Sequence, residues 1–396
     1  MKDFIFKMPT RVYFGNGRVK ELGTLCKEQG GAKVFVISDP VIGSTPIMEA
    51  VKNALDDAKM PYEVYTDTKP DPTVEMVDTV TEAMKKSGAN VIVTVGGGSP
   101  IDLAKAVGVM ATNEGSVEDY LFGGSKTVQK PGIPVIAIPT TAGTGSEVTA
   151  ATVITNTKKN IKLSVTHDYV IPKVALLDPA LQLGMPTLIT ASTGLDALTH
   201  AIESYVSLNS EPIADAMGIA TIKLIGENLR TAVADGNNTV ARSNMAIASL
   251  MGSVAFMNGG LGVVHGIAQS MGGLHHTPHA IANGLLLPYC MERNYLGNFK
   301  KFKDIAVALG ENVEGLTERE AAYAAVTAVF ELQEDVGVPR TLKELGPAKQ
   351  GTPIEKKDFP AIIEGTMGYR LLPINPCKLV AKDIEDILNH AYEGRK

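Results

Sequence analysis

Up to about residue 180 the chain alternates short β-branched runs with amphipathic stretches, and beyond that point the β-rich runs nearly vanish. The runs are VFVIS (34–38), YEVY (62–65), VIVTV (91–95) and PVIAIP (134–139), with helix-like stretches near 45–58, 73–86 and 100–111 between them. Such alternation predicts a doubly wound parallel sheet with helices on both faces. After LQLGMPT (181–187), segments rich in Ala, Leu and Met recur with helical spacing at 188–206, 212–234, 239–257 and 316–335, which predicts an all-helical second half. At 396 residues the chain exceeds the roughly 250–300 at which single cores stop growing, so two domains are expected, 1–185 and 186–396. No Ser/Gly-rich linker surrounds Pro186, which predicts close packing of the lobes and a site between them.

Composition narrows the partners. The net charge is −6 and neither sign collects into long runs, so no polyanion-binding surface, and hence no nucleic-acid partner, is indicated. Cys26, Cys290 and Cys377 lie far apart without CxxC spacing, which suits a reduced compartment and leaves only His and carboxylates as metal ligands. The charged N-terminus MKDFIFKMPT and the lack of a long uninterrupted apolar window predict a soluble, cytoplasmic protein.

The stretch VIVTVGGGSPIDLAK (91–105) reads as a buried strand, a turn of Gly96, Gly97 and Gly98, and a helix with Ser99 as N-cap and Pro100 as first residue. Free N–H groups and the positive end of a helix dipole make such a turn a phosphate cradle, although glycines can also serve a tight turn alone. IPTTAGTGSEVT (138–149) follows another strand and gathers Thr140, Thr141, Thr144 and Ser146 around glycines. Two such loops on one sheet point to a dinucleotide. The G-x-G-x-x-G fingerprint is absent, because the strand at 34–38 runs into SDPVIG. Asp39, just past that strand, either accepts the adenosine ribose hydroxyls, favouring NAD over NADP, or caps a turn.

In STGLDALTHAIESY (192–205), Asp196 and His200 stand at i and i+4, so their side chains leave one helix face a turn apart. The apolar neighbours Leu195, Ala197, Leu198, Ala201 and Ile202 disfavour a solvated face and call for a partner. HGIAQSMGGLHHTPH (265–279) holds four of the seven histidines. His265 is expected near the start of one helix that Gly272 and Gly273 break, and Thr277 and Pro278 are expected to open the next, with His279 in its first turn. Asp196, His200, His265 and His279 then offer one carboxylate and three imidazoles, a set suited to Fe²⁺ or Zn²⁺ and not to Ca²⁺ or Mg²⁺. His275 and His276 remain as outer residues, proton donors or loop residues.

From YFGNG (13–17) to GLGVVHGIAQSMGGLHHTPHAIANGLLLP (260–288), these motifs resemble the iron-dependent (group III) alcohol dehydrogenases over essentially the whole chain. The resemblance implies an α/β N-terminal Rossmann-like dinucleotide-binding domain and an all-α C-terminal metal-binding domain. It also implies a cleft active site and a homodimer or larger assembly. It carries the metal ligands onto Asp196, His200, His265 and His279. It carries dinucleotide contacts onto Asp39, Gly98, Ser99, Asp102, Thr140, Thr141, Thr144, Thr149, Lys162 and Leu181, with Gly97 and Ser146 in the same loops. Where many relatives have a second histidine four residues after His265, this chain has Gln269, which cannot titrate, so a proton relay falls to His275, His276 or water.

The implied reaction interconverts a short-chain primary alcohol or diol and its aldehyde, with the metal polarising the substrate oxygen and NAD(H) exchanging hydride. Phe256 is a pocket wall or a core residue. Arg370 is a surface residue or the partner of a small anionic aldehyde. Glycerol dehydrogenase-like polyol oxidation is an alternative, as is a dehydroquinate synthase-like lyase, although the latter's Lys/Arg-rich pocket is missing around Asp196 and His265. A catalytically dead binding protein is disfavoured by retention of all four ligands and both loops.

Overall fold

A computed structural model of the chain describes residues 3–158, 161–346 and 352–395. It divides into two compact units, one of residues 8–141 and 145–183, the other chiefly of 184–396 with 1–7 and 142–144.

The first unit contains strands β1 (Arg11–Phe14), β2 (Val34–Ile37), β3 (Tyr62–Tyr65), β4 (Val91–Gly96), β5 (Val135–Pro139), β6 (Ala151–Asn156), β7 (Ile161–Thr166) and β8 (Val174–Leu177). Its helices are α1 (Leu22–Glu28), α2 (Pro40–Gly43), α3 (Pro46–Asp57), α4 (Val74–Ser87) and α5 (Gly98–Met110). Six strands form one parallel sheet in the order β1-β8-β5-β4-β2-β3, and β6 and β7 form a separate antiparallel pair. The sheet is covered on both faces, as the strand/helix alternation predicts. Val91, Val93 and Val95 of β4 join the core with α1 and α3, whereas Ile92 joins the core with α4 and α5. The hairpin, β1 and β8 have no counterpart among the expected strands. Their burial is mixed in β1 and β7, with few uninterrupted apolar residues to mark them.

Chain direction through the sheet reverses between β2 and β4. From β2 the chain moves outward to β3, then returns past β2 to β4 and continues the other way to β5. The carboxyl ends of β2 and β4 therefore flank the crevice where open α/β sheets take ligands.

The second unit is helical: α6 (Thr187–Val206), α7 (Pro212–Ala234), α8 (Thr239–Gly259), α9 (Val263–His275), α10 (His279–Asn294), α11 (Phe299–Leu309), α12 (Glu318–Asp335), α13 (Phe359–Met367) and α14 (Ala381–Glu393). Every residue of α6 from Thr190 to Val206 is buried, so this helix is surrounded and not amphipathic. It packs against α7, α8 and α10. By length and composition α8 is apolar enough to cross a membrane, but most of it is buried in this helical core.

Candidate metal centre and dinucleotide loops

Helix α6 presents Asp196 and His200 one turn apart, both buried, with His200 Nε2 3.8 Å from Asp196 Oδ1. His265 is the third residue of α9 and His279 the first of α10. One ligand atom each from Asp196, His265 and His279 lies within 4.8 Å of the other two. The His200 ring stacks on His265 at 4.9 Å between centroids, and His265 lies 5.2 Å from His279. The structure thus brings all four expected ligands together. Asp196 and His265 are buried and His279 is exposed, so the cluster reaches the surface of the helical unit on the α10 side.

Burial lowers the His200 pKa to about 3, with Asp196 pulling the other way, so the imidazole is neutral and keeps a lone pair for a cation. Asp196 Oδ2 is buried and has no hydrogen-bond partner among the described residues. A buried carboxylate with one unpartnered oxygen, in a cluster with three imidazoles, fits a divalent cation.

Two expectations about helix ends are corrected. Gly272 and Gly273 do not break α9, which continues to His275 and stops at His276 in left-handed conformation, φ 53°. Glycine costs a helix only about 1 kcal/mol, and buried packing of Met271 and Gly272 outweighs it. Nor does Thr277 cap α10. The N-cap is Pro278, and the Thr277 hydroxyl is buried without a hydrogen-bond partner among the described residues. His275 is half-buried and His276 exposed. Phe256 packs 4.5 Å from the His200 ring.

Three polar residues of this cluster escaped the sequence reading. Glu203 accepts the Val264 N–H at 2.7 Å through one oxygen and meets His265 Nδ1 at 2.6 Å through the other. Asn283, fully buried, donates to Asp196 Oδ1 at 2.7 Å and lies 3.1 Å from Nε2 of both His265 and His279. Asn375 accepts the Val263 N–H at 3.2 Å. The signal was available for two of them: Glu203 continues the Asp196–His200 face at i+7, and Asn283 stands at i+4 from His279.

In the α/β unit, Asp39 lies two residues past the end of β2 and caps α2, its Oδ1 accepting the N–H groups of Val41 and Ile42, each at 2.9 Å. Its other oxygen lies 3.2 Å from where a Cβ on Gly96 would stand. Gly96, φ 152°, admits no side chain, since a Cβ would come 2.7 Å from Pro100 Cγ. Helix α5 starts at Gly98 with Gly97 as N-cap, two residues earlier than expected, so Ser99 lies inside the first turn and its Oγ accepts the Asp71 N–H at 3.3 Å. Thr140 N–H donates to Gly96 O at 2.9 Å, which joins the two glycine-containing loops, and Thr141 packs beside Gly97. Thr144 belongs to the stretch that groups with the helical unit.

Not all of the expected cofactor residues face outward. The Asp102 carboxylate accepts from Ser146 Oγ and from Val153 N–H at 2.9 Å. Lys105, fully buried, donates to Ser146 O at 2.9 Å, Ser146 Oγ at 3.0 Å and Thr149 Oγ1 at 3.1 Å. Asp102, Ser146 and Thr149 are thus tied to each other and to Lys105, which fixes the path of the 140–149 loop. Burial lowers the Lys105 pKa to about 8 and raises that of the neighbouring Glu147 to about 7. Lys162 pairs with Asp71 at 2.6 Å, and Leu181 is buried in the core with α1 and α3.

A family model described as iron-containing alcohol dehydrogenase matches residues 9–179, and one described as the C-terminal part of the same family matches 190–392. The chain is 39% identical to a 1,3-propanediol dehydrogenase of Citrobacter freundii, over 98% of this chain and 99% of that one. It is 36% identical to an NAD-dependent methanol dehydrogenase of Bacillus methanolicus, with 98% and 99% covered. Among solved structures, a 1,3-propanediol oxidoreductase superposes with a TM-score of 0.94 at 36% identity, covering 99% of this chain and all of that one.

Proposed function

The chain belongs to the iron-containing alcohol dehydrogenase family, and from that premise we propose that it interconverts a short-chain primary alcohol or diol and its aldehyde with NAD(H) as hydride carrier. In this reading Asp196, His200, His265 and His279 hold a divalent metal, Fe²⁺ in the first place and Zn²⁺ as the other ion the set accommodates. The observation that carries it is the convergence of Asp196, His265 and His279, one ligand atom of each within 4.8 Å of the others, together with an Asp196 Oδ2 that is buried and has no hydrogen-bond partner among the described residues. When bound, the metal supplies Lewis acidity at the substrate oxygen and the nicotinamide supplies or accepts hydride.

The chain's own residues prepare both. Asp196 contributes the negative charge and the three imidazoles contribute nitrogens, of which burial keeps that of His200 unprotonated. At the reversal point of the sheet, Gly96 and Gly97 leave the start of α5 uncovered for a diphosphate, and Asp39 faces that turn with a carboxylate that favours ribose hydroxyls over a 2′-phosphate. Lys105 holds the 140–149 loop beside them. Proton exchange is assigned to His275, His276 or solvent, in place of Gln269. A homodimer or larger cytoplasmic assembly completes the proposal.

Short alcohols, diols and charged aldehydes, assayed with NADH and NADPH on protein loaded separately with Fe²⁺ and Zn²⁺, test it. His279→Ala should lose both bound metal and turnover. Unchanged turnover with normal metal content would sink the metal assignment.

A further inference from the structure

We propose that Glu203 is the positioning residue of the metal centre: its carboxylate fixes His265 in the tautomer whose Nε2 is free to ligate, and in the same grip starts the helix that carries it. The inference rests on the metal reading above.

Each Glu203 oxygen has a separate task. Oε1 accepts the Val264 N–H at 2.7 Å, and Oε2 lies 2.6 Å from His265 Nδ1. Helix α9 lacks a side-chain cap of its own, because its N-cap is Gly262. Two orphan N–H groups of its first turn are instead satisfied by Glu203 from α6, which takes that of Val264, and by Asn375, which takes that of Val263. Gly262 is required for that grip, since a Cβ there would come 2.8 Å from Asn375 Oδ1 and 2.9 Å from Glu203 Oε1.

The tautomer follows from both sides of the ring. On one side a carboxylate can only accept, so Nδ1 carries the hydrogen. On the other, Asn283 Nδ2 lies 3.1 Å from Nε2, and an amide nitrogen can only donate, so Nε2 is an acceptor. Both neighbours select the same form, with the Nε2 lone pair directed to the side where Asp196 and His279 lie. A carboxylate behind a ligating histidine also raises its basicity toward the cation. Glu203 is 3% exposed, so water does not readily replace it.

Glu203→Gln separates these tasks. Its amide turns oxygen to only one of the two donors. If the oxygen stays with Val264, the amide nitrogen faces Nδ1 and drives the hydrogen to Nε2, where ligation needs the lone pair. Affinity for Zn²⁺ or Co²⁺, measured by competition with a chelator, is expected to fall about 10- to 100-fold. The comparator is Asn375→Ala, which removes the neighbouring helix-start bond without touching His265 and is expected to keep the affinity within about threefold of wild type. Equal losses in the two variants would make Glu203 a helix cap only and overturn the proposal. An unaltered affinity in Glu203→Gln would also overturn it. The tautomer is read directly from ¹⁵N spectra of metal-stripped, histidine-labelled wild-type protein, with His265 assigned by its loss in His265→Ala. A hydrogen on Nε2 there would overturn the proposal without any Glu203 variant having to fold. Wild-type protein that binds neither ion would overturn the metal reading and this inference together, whereas normal wild-type binding with an indifferent Glu203→Gln removes the inference alone.

Discussion

Gln333 on α12 supplies to Gly284 the hydrogen bond that Pro288 cannot. Pro288 lies inside α10 without an N–H, which leaves the carbonyl four residues earlier without its helical donor. Gln333 Nε2, fully buried, donates to Gly284 O at 2.8 Å and to Leu285 O at 3.1 Å. Since α10 also carries His279 and Asn283, this repair lies on an element of the proposed metal cluster.

Gln333→Leu, similar in volume but without a donor, should therefore cost about 1–3 kcal/mol of stability in urea unfolding. In a Pro288→Ala background the backbone regains its own donor and the cost should shrink. An equal loss in both backgrounds would show that the amide is not acting on this carbonyl.

Asn283 makes a second stability prediction, specific to the metal-free protein. Its amide is the donor that Asp196 Oδ1 has in the absence of a cation. Asn283→Ala should destabilise metal-stripped protein by about 1–3 kcal/mol through an uncompensated buried carboxylate. Metal should recover much of that loss. Melting curves with and without chelator measure both, and a loss independent of metal would attribute the effect to the cavity alone.

Glu147 and Lys105 give a pH prediction. Burial raises Glu147 from 4.5 to about 7, so between those values the fold binds more protons than the unfolded chain and loses stability as pH rises. Lys105 is lowered from 10.5 to about 8, so between 8 and 10.5 the fold binds fewer protons and gains stability as pH rises. Glu147→Gln removes the first slope. Its stability relative to wild type should climb by on the order of 2–3 kcal/mol from pH 4.5 to pH 7, by urea unfolding at both ends. A relative stability flat across that window would refute the shifted carboxyl.

The elements that periodicity marks well are those buried on one face or wholly apolar. Segments 212–234 and 239–257 and the strands β2 to β5 follow the sequence pattern closely. The misses share a physical cause, namely that tertiary contacts override local preference. Gly272 and Gly273 are helical because α9 is packed there, and Asn375 reaches the start of α9 from more than a hundred residues away. The four candidate ligands are legible because an ionisable residue in an apolar run needs a partner. Glu203 is masked by the same run, since one glutamate among helix formers reads as ordinary. Nothing local to Ser146 and Thr149 shows that Lys105, some forty residues away, bonds to both.

Asp39 combines two tasks that substitution can separate. Oδ1 caps α2 through the Val41 and Ile42 N–H groups, and Oδ2 faces the Gly96 turn. Serine is about as good an N-cap as aspartate, so Asp39→Ser should leave stability within about 0.5 kcal/mol of wild type while deleting the charge. Without that charge a 2′-phosphate is no longer repelled, and kcat/KM with NADPH relative to NADH should rise about tenfold or more, which corresponds to roughly 1.4 kcal/mol. Asp39→Ala loses the cap as well and should cost about 1 kcal/mol in addition. A cofactor ratio that stays at the wild-type value in Asp39→Ser, with the fold intact, would reduce Asp39 to a helix cap and leave NAD preference to other residues.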